Sequence, residues 1–344
     1  MKGAIHERFK KSIFFFLLVS FCLVPIAAWA VDDERADKIN NWGKWGQDDE
    51  VGSLNYLTPD KIVAASKLIK TGKVFTLQCP LTQDWNEPLW PGRSPSIRYN
   101  VKDASGYLVG RKPAVGGYKS ADDWIALFTH GTTHMDSLVH TWHGNQVWNG
   151  YDEKVTIGAV SKAGIYKVAE RGVVGRGVLL DIARFKGVEY LKPGEPITLD
   201  DFKNCAKKQG VNFQTGDVVI FRTGWIPALS KYPELKKAPV FNEPGIQYSL
   251  EFLKWFQDTG VSMIAADSIA MEQTISTSAE EKGSLIPFHK YLMRNLGISI
   301  NEIYSLEPLA EDCAKDGVYE FFYVAAPLKI KGGTSSPFNP IAIK

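Results

Sequence analysis

Four of the six histidines in this 344-residue chain fall within fourteen positions, His130, His134, His140 and His143 in the run HGTTHMDSLVHTWH. This cluster restricts the local backbone more than any other segment. His130, His134, Asp136 and His140 are all even-numbered, and an extended strand turns even positions to one face. A helix would not gather them: at about 100° per residue, His134 lies roughly 40° from His130, whereas Asp136 and His140 lie roughly 240° and 280° away. Gly131, Thr132 and Thr133 also disfavour a helix. A straight strand from His130 to His140 would span about 33 Å, whereas metal–ligand bonds are about 2 Å long. The segment must therefore bend, and Gly131 is placed for the bend. Beyond it, His134 and Asp136 are same-face neighbours able to join His130 around one ion. Two neutral imidazoles and a carboxylate suit Zn²⁺ or Mn²⁺, and three protein ligands leave positions open for catalysis. His143 follows Trp142, is out of phase with the even series, and is expected to be an ordinary polar residue.

The remaining composition is that of a globular protein, 44% hydrophobic and 23% charged, with 40 Lys and Arg against 38 Asp and Glu. Disorder, collagen and coiled coil are excluded. No dense basic block follows the first eleven residues, so a nucleic-acid partner is not expected. The first thirty residues read as an export signal: Lys2, Arg8, Lys10 and Lys11, then an apolar run over residues 12–26, then Ala28-Trp29-Ala30 as a cleavage site. That run is short for a span of about 20 apolar residues, so no stable membrane anchor is expected after cleavage. The mature chain would begin at Val31, in the periplasm or secreted, with 36 basic against 37 acidic residues. Cys22 follows Phe21, where a lipobox needs a small residue. Cys79, Cys205 and Cys313 are widely spaced, allow at most one disulfide, and are expected to be buried hydrophobes.

Residues 31–344 show no repeat or linker and read as a single domain after a short flexible start at 31–41. Thr58-Pro59-Asp60 opens a helix whose stripe is Ile62, Val63, Ala65, Leu68 and Ile69, with Gly72 as its stop. GVLLD at 177–181 and DVVIFR at 217–222 read as buried strands, with a capped helix from Thr198 to about Gly210 between them. A further helix is expected over 246–259, then a strand over 261–265. Strands and helices alternate, so the class is α/β.

The cluster resembles the motif H-x-G-T-H-x-D-x-P-x-H of the cyclase family, which includes bacterial kynurenine formamidase and isatin hydrolase. His130, His134, Asp136 and His140 fall on its four functional positions. The likeness extends to Pro88-Leu-Trp90-Pro-Gly92, the GVLLD and FRTGW strands, His289-Lys-Tyr-Leu, Gly297-Ile-Ser-Ile-Asn-Glu302, and the early Trp42-Gly43 and Gly52-Ser-Leu-Asn55 segments. The sequence departs from the motif in Gly131-Thr132-Thr133 and in Leu138, which stands where the family has proline. The resemblance implies a compact α/β domain with mixed β-sheet layers and flanking helices, holding one or two divalent ions. It implies His130, His134 and Asp136 as ligands of the first ion, and His289 and Glu302 as completing a second position. His140 would be the proton donor and acceptor, and Trp90 a wall of the substrate pocket. Trp85 and Trp124 lie near enough in sequence to add flat walls. The implied activity is hydrolysis of an amide, cyclic imide, lactam or lactone bond in a small cyclic or aromatic molecule, using metal-activated water. A ring-forming or dehydrating enzyme on the same site, and a periplasmic metal- or solute-binding protein, are the alternatives. A homo-oligomer is left open.

Overall fold

Two long runs of β-branched residues explain the centre of the molecule, because strands buried on both faces read as continuous apolar sequence. The computed structural model describes residues 34–82, 90, 92–237 and 242–344. The export signal with Cys22, the start at 31–33, Trp85, and Pro88, Leu89 and Pro91 lie outside the described residues. The strands are β1 (Val74–Thr76), β2 (Ile97–Lys102), β3 (Asp122–Ala126), β4 (His134–Asp136), β5 (Val173–Asp181), β6 (Pro196–Ile197), β7 (Val218–Arg222), β8 (Gly245–Ile246), β9 (Met263–Ala266), β10 (Ser299–Glu302), β11 (Glu320–Ala325), β12 (Ser335–Pro337) and β13 (Ile341–Ile343). Nine of them form one sheet in the order β1-β13-β11-β5-β7-β9-β10-β4-β12. Its centre, β5-β7-β9-β10, is parallel; on either side β11 and β4 join antiparallel. β2 and β3 make a separate hairpin, and β6 and β8 a short parallel pair.

Side chains alternate across this sheet between two cores. Val178, Leu180, Val219, Phe221, Ile264, Ala266 and Ile300 enter the first, and Leu179, Val218, Ile220, Met263 and Ala265 the second. The first core is closed by helices Leu199–Gln209 and Leu250–Thr259, and by Pro287–Tyr291 with the π-turn Leu292–Leu296 that follows it. Helices Ile165–Arg171 and Glu307–Asp316 close the second. Each fully buried Leu, Ile, Val or Phe contributes about 1.5–3 kcal/mol. The molecule is a mixed α/β single domain with a large curled sheet and flanking helices, as the sequence predicts. Among the described residues no helix is long and apolar enough to cross a membrane.

Several local expectations need correction. The helix expected from residue 246 starts at Leu250, because the Ser249 hydroxyl accepts from the Phe252 amide while Gly245–Ile246 pairs with β6. The helix opened by Pro59 ends at Ser66, and only part of its stripe is covered: Ala65 is buried and Ile62 and Leu68 half-buried, whereas Val63 is 60% exposed. The start at 34–41 is anchored rather than free: Ala36 is buried, Arg294 pairs with Asp37 at 2.9 Å, and the Asn41 amide donates to the Asn295 carbonyl. By contrast, Thr198 and Asp201 form a capping box and Gly210 closes that helix in the left-handed region, as expected. No disulfide links Cys79, Cys205 and Cys313 to one another; the last two are buried, their thiols pushed up to about 12 by burial, whereas Cys79 is only half-buried, against expectation.

Candidate metal centre

β4 is only three residues long, and its pleat sorts them. Met135 enters the second core, while His134 and Asp136 face the other way. Register supplies their neighbours. Antiparallel pairing sets Glu302 of β10 opposite His134, and Ser335 of β12 opposite Asp136. The helix Pro287–Tyr291 packs Phe288 and Tyr291 into the first core and so carries His289 over the same face. His130 and His140 are not on the strand. A turn in which the Gly131 amide donates to the Phe128 carbonyl returns His130, and another from the His140 amide to the Ser137 carbonyl returns His140. Their rings then lie 4.0 Å apart, and the His130 and His134 rings 5.2 Å.

His130 Nε2 and His134 Nε2 each lie 3.4 Å from Asp136 Oδ1, and His134 Nε2 lies 3.3 Å from Glu302 Oε2. His289 Nε2 is 2.9 Å from Glu302 Oε1 and 4.0 Å from Asp136 Oδ2. Ligand atoms of His130, Asp136 and His140 lie within 4.8 Å of one another, as do those of Asp136, His289 and Glu302. Asp136 is shared between the two sets. His140 therefore comes as close to His130 and Asp136 as a ligand would, whereas the sequence gives that set His134, which sits between the Asp136 and Glu302 carboxylates.

The outer nitrogens are held. His134 Nδ1 donates to the Thr132 carbonyl at 2.7 Å, and His130 Nδ1 meets the Ser335 hydroxyl at 3.0 Å. Glu272 accepts from His289 Nδ1 at 2.7 Å and from the backbone amides of Phe288 and His289 at 2.6 and 2.8 Å. The inward atoms are different: His130 Nε2, His134 Nε2 and both Asp136 oxygens are buried without a hydrogen-bond partner. Each such atom costs about 1–3 kcal/mol. Four of them converging on one point, with imidazole and carboxylate chemistry, fit a divalent cation.

The charges are arranged accordingly. Burial alone would lower His289, but the Glu272 and Glu302 carboxylates on either side raise it to about 10. Burial likewise opposes protonation of His134, and Asp136 and Glu302 overcome it, raising it to about 9. Burial raises the Asp136 carboxyl, yet the rings of His140, His134 and His130 hold it well below the usual carboxylate range. Burial pushes His130 down to about 2 and also lowers His140, so both rings are neutral near pH 7.

The Cyclase family model matches residues 75–273, more than half of the chain. The chain belongs to the cyclase family. A crystal structure of a novel cyclase is 38% identical to it, the match covering 89% of this chain and 99% of that one with a TM-score of 0.80. Isatin hydrolase A from Ralstonia solanacearum has the same fold at 17% identity, covering 83% and 98% of the two chains with a TM-score of 0.58. Isatin hydrolase A from Labrenzia aggregata, bound to benzyl benzoate, does so at 16%, covering 82% and 97%, with a TM-score of 0.56. No curated protein matches.

Within this cyclase-family site, sequence reasoning finds six of the converging residues and misses those that aim them. Glu272 lies 17 positions before His289, and Ser335 lies 205 positions after His130. Trp90 is half-buried and its carbonyl accepts the Arg93 amide; the Arg93 guanidinium in turn reaches the His130 carbonyl at 2.7 Å. Trp124 does not line the centre; it stacks on Tyr99 in the β2–β3 hairpin. His143 pairs with Asp37 at 3.1 Å, outside the two ligand sets.

Proposed function

We propose that the chain is an exported metal-dependent hydrolase that opens an amide, cyclic imide, lactam or lactone bond of a small cyclic or aromatic substrate. The convergence of buried, unpartnered His130 Nε2, His134 Nε2 and Asp136 oxygens carries this reading. His130, His134, Asp136, His289 and Glu302 would hold one or two ions, Zn²⁺ or Mn²⁺ by donor type. When bound, such an ion supplies Lewis acidity at a carbonyl and a more acidic water. His140, neutral through burial, accepts a proton from the attacking water and returns it to the leaving nitrogen or oxygen. Glu272 and Ser335 keep His289 and His130 oriented. Trp90, near the Arg93 contact to His130, forms a wall for a flat substrate. The isatin hydrolases that share the fold are hydrolytic by name, which supports water as the second substrate.

A second reading has His140 as a ligand of the first ion, supported by its closeness to His130 and Asp136. Elemental analysis of the purified mature protein, combined with a screen of formamides, cyclic imides and isatin-like lactams, tests the proposal. Stoichiometric Zn or Mn with turnover on one of these classes is the expected result. A metal-free protein, or one that loads metal and turns over none of them, would count against it. Export is tested by N-terminal sequencing of the native protein, expected to begin at Val31; a native start at Met1 rejects it.

A further inference from the structure

Four arginines among the described residues are not exposed: Arg93, Arg176, Arg222 and Arg294. Three of them sit against carboxylates. Arg176 meets Asp217 at 2.7 Å, Arg222 meets Glu307 and Asp181 at 2.7 and 2.9 Å, and Arg294 meets Asp37 at 2.9 Å. Covering a permanent cation calls for such a partner. Arg93 is the exception: no Asp or Glu among the described residues pairs with it, and its side chain makes a single hydrogen bond, from Nη1 to the His130 carbonyl at 2.7 Å. That acceptor belongs to the first residue of the metal centre. A guanidinium carries five N–H donors in a planar fork, and one carbonyl takes up only one of them.

The side chain is held in place. Its own amide donates to the Trp90 carbonyl at 3.0 Å and closes a turn over residues 90–93. Beyond it Pro95 and Ser96 are buried, and the Ser96 hydroxyl donates to the Thr82 carbonyl at 2.7 Å. The guanidinium is therefore fixed beside His130, at the opposite end of one turn from Trp90. Its surroundings favour an anion. The set His130, Asp136 and His140 brings one carboxylate, and both of its rings are neutral near pH 7. A divalent ion there outweighs that carboxylate, so Arg93 adds to a positive edge instead of cancelling a negative one.

We propose that Arg93 is a specificity-determining residue that holds a carboxylate carried by the substrate, so that the enzyme prefers acidic cyclic or aromatic amides to neutral ones. The inference rests on the hydrolase reading and names the substrate class within it. With Nη1 committed to His130, the Nε and Nη2 edge faces the ligand. This is the pair with which Arg222 holds both oxygens of Glu307, at 2.7 and 2.9 Å. Such a fork selects a planar carboxylate, which a lysine would hold only as a point charge. Trp90, opening the same turn, adds a flat apolar wall. The ligand that fits both is a flat molecule with an acidic edge.

Matched acid and neutral probes test this on the metal-loaded protein. Calorimetry compares benzoate with benzamide, and kinetics compare 2-formamidobenzoate with formanilide and dihydroorotate with dihydrouracil. The wild type should favour the acid of each pair. Arg93→Gln should weaken benzoate binding and raise KM for the acids by about 10- to 100-fold, the range for a lost hydrogen bond to a charged group. Benzamide binding, kcat and metal content should stay near wild type. Arg93→Lys, which keeps the charge without the fork, should lose less on the acids; if Arg93→Gln fails to fold or to load metal, this variant decides. A wild type that binds benzoate no better than benzamide, or variants that bind benzoate as tightly as wild type, overturns the proposal. So does a variant that weakens both probes alike, because Arg93 would then be only a clamp on His130. Benzoate held through Arg93 without turnover of any amide would instead reject the hydrolase reading and leave the carboxylate site standing.

Discussion

His140 is the side chain on which catalysis and metal binding separate. As the proton carrier, its replacement by alanine leaves metal content near normal and lowers kcat by about 10² to 10⁴. Loss of metal from His140→Ala would instead make it a ligand. Asp136, shared by both ligand sets, allows no such division: Asp136→Ala should abolish bound metal and turnover together, while His143→Ala, which removes contacts to Asp37 and Tyr291 outside both sets, keeps both. Glu272 acts through His289, so Glu272→Gln should weaken metal affinity about 10- to 100-fold, the range for a partner that orients a ligand. Elemental analysis of the variants measures each outcome. The pH dependence follows from the two raised imidazoles. In the metal-free chain His289 and His134, raised to about 10 and about 9, are both protonated at neutral pH, and a divalent ion must displace those protons. Metal uptake at pH 7 should release protons into weak buffer, and affinity should strengthen as pH rises toward 9. Uptake without proton release would contradict this. The same charges stabilise the metal-free fold fully below about pH 6.5, and that contribution is lost as pH climbs through 9 to 10.

β4 shows why part of the centre is legible in sequence and part is not. Period-2 spacing does set His134 and Asp136 on one face, but the extended stretch is only His134–Asp136. His130 and His140 return through turns, which strand periodicity does not encode. His289 and Glu302 are visible only through family resemblance, and Glu272 and Ser335 not at all, because helix placement and strand register bring them in from distant positions. The central strands are legible because both faces are buried; the stripe of Pro59–Ser66 is only partly covered, Ala65 buried and Val63 exposed, because an apolar period does not say how far a core extends beneath it. Gly52 belongs to the same lesson. It sits at φ 57°, and a Cβ there would collide with the Gly297 carbonyl, so the segment before Pro59 can close on the end of the Leu292–Leu296 turn only without a side chain. Gly52→Ala should cost more than the about 1–3 kcal/mol of left-handed strain alone. Gly72→Ala, at φ 75° with nothing within 4 Å, should cost only that strain. Thermal denaturation of the two variants compares them directly.

The sheet changes character at β10, which pairs parallel with β9 and antiparallel with β4, and the centre is built on that seam. Metal that binds only the folded chain stabilises all of it, by about 2.7 kcal/mol at a hundredfold excess over its dissociation constant. Chelation should therefore lower Tm measurably in the wild type and not in Asp136→Ala. An equal drop in both would disconnect the centre from global stability. The seam also joins distant parts of the chain: β10 sets Glu302 against His134, and β12 sets Ser335 beside Asp136. Contacts of such sequence separation are slow to form and are made late. A cation that needs them cannot speed the search for the fold, and can act only once the last strands have docked. Refolding rates should then be indifferent to metal while unfolding slows with it, leaving the ion as a brake on escape from the native state.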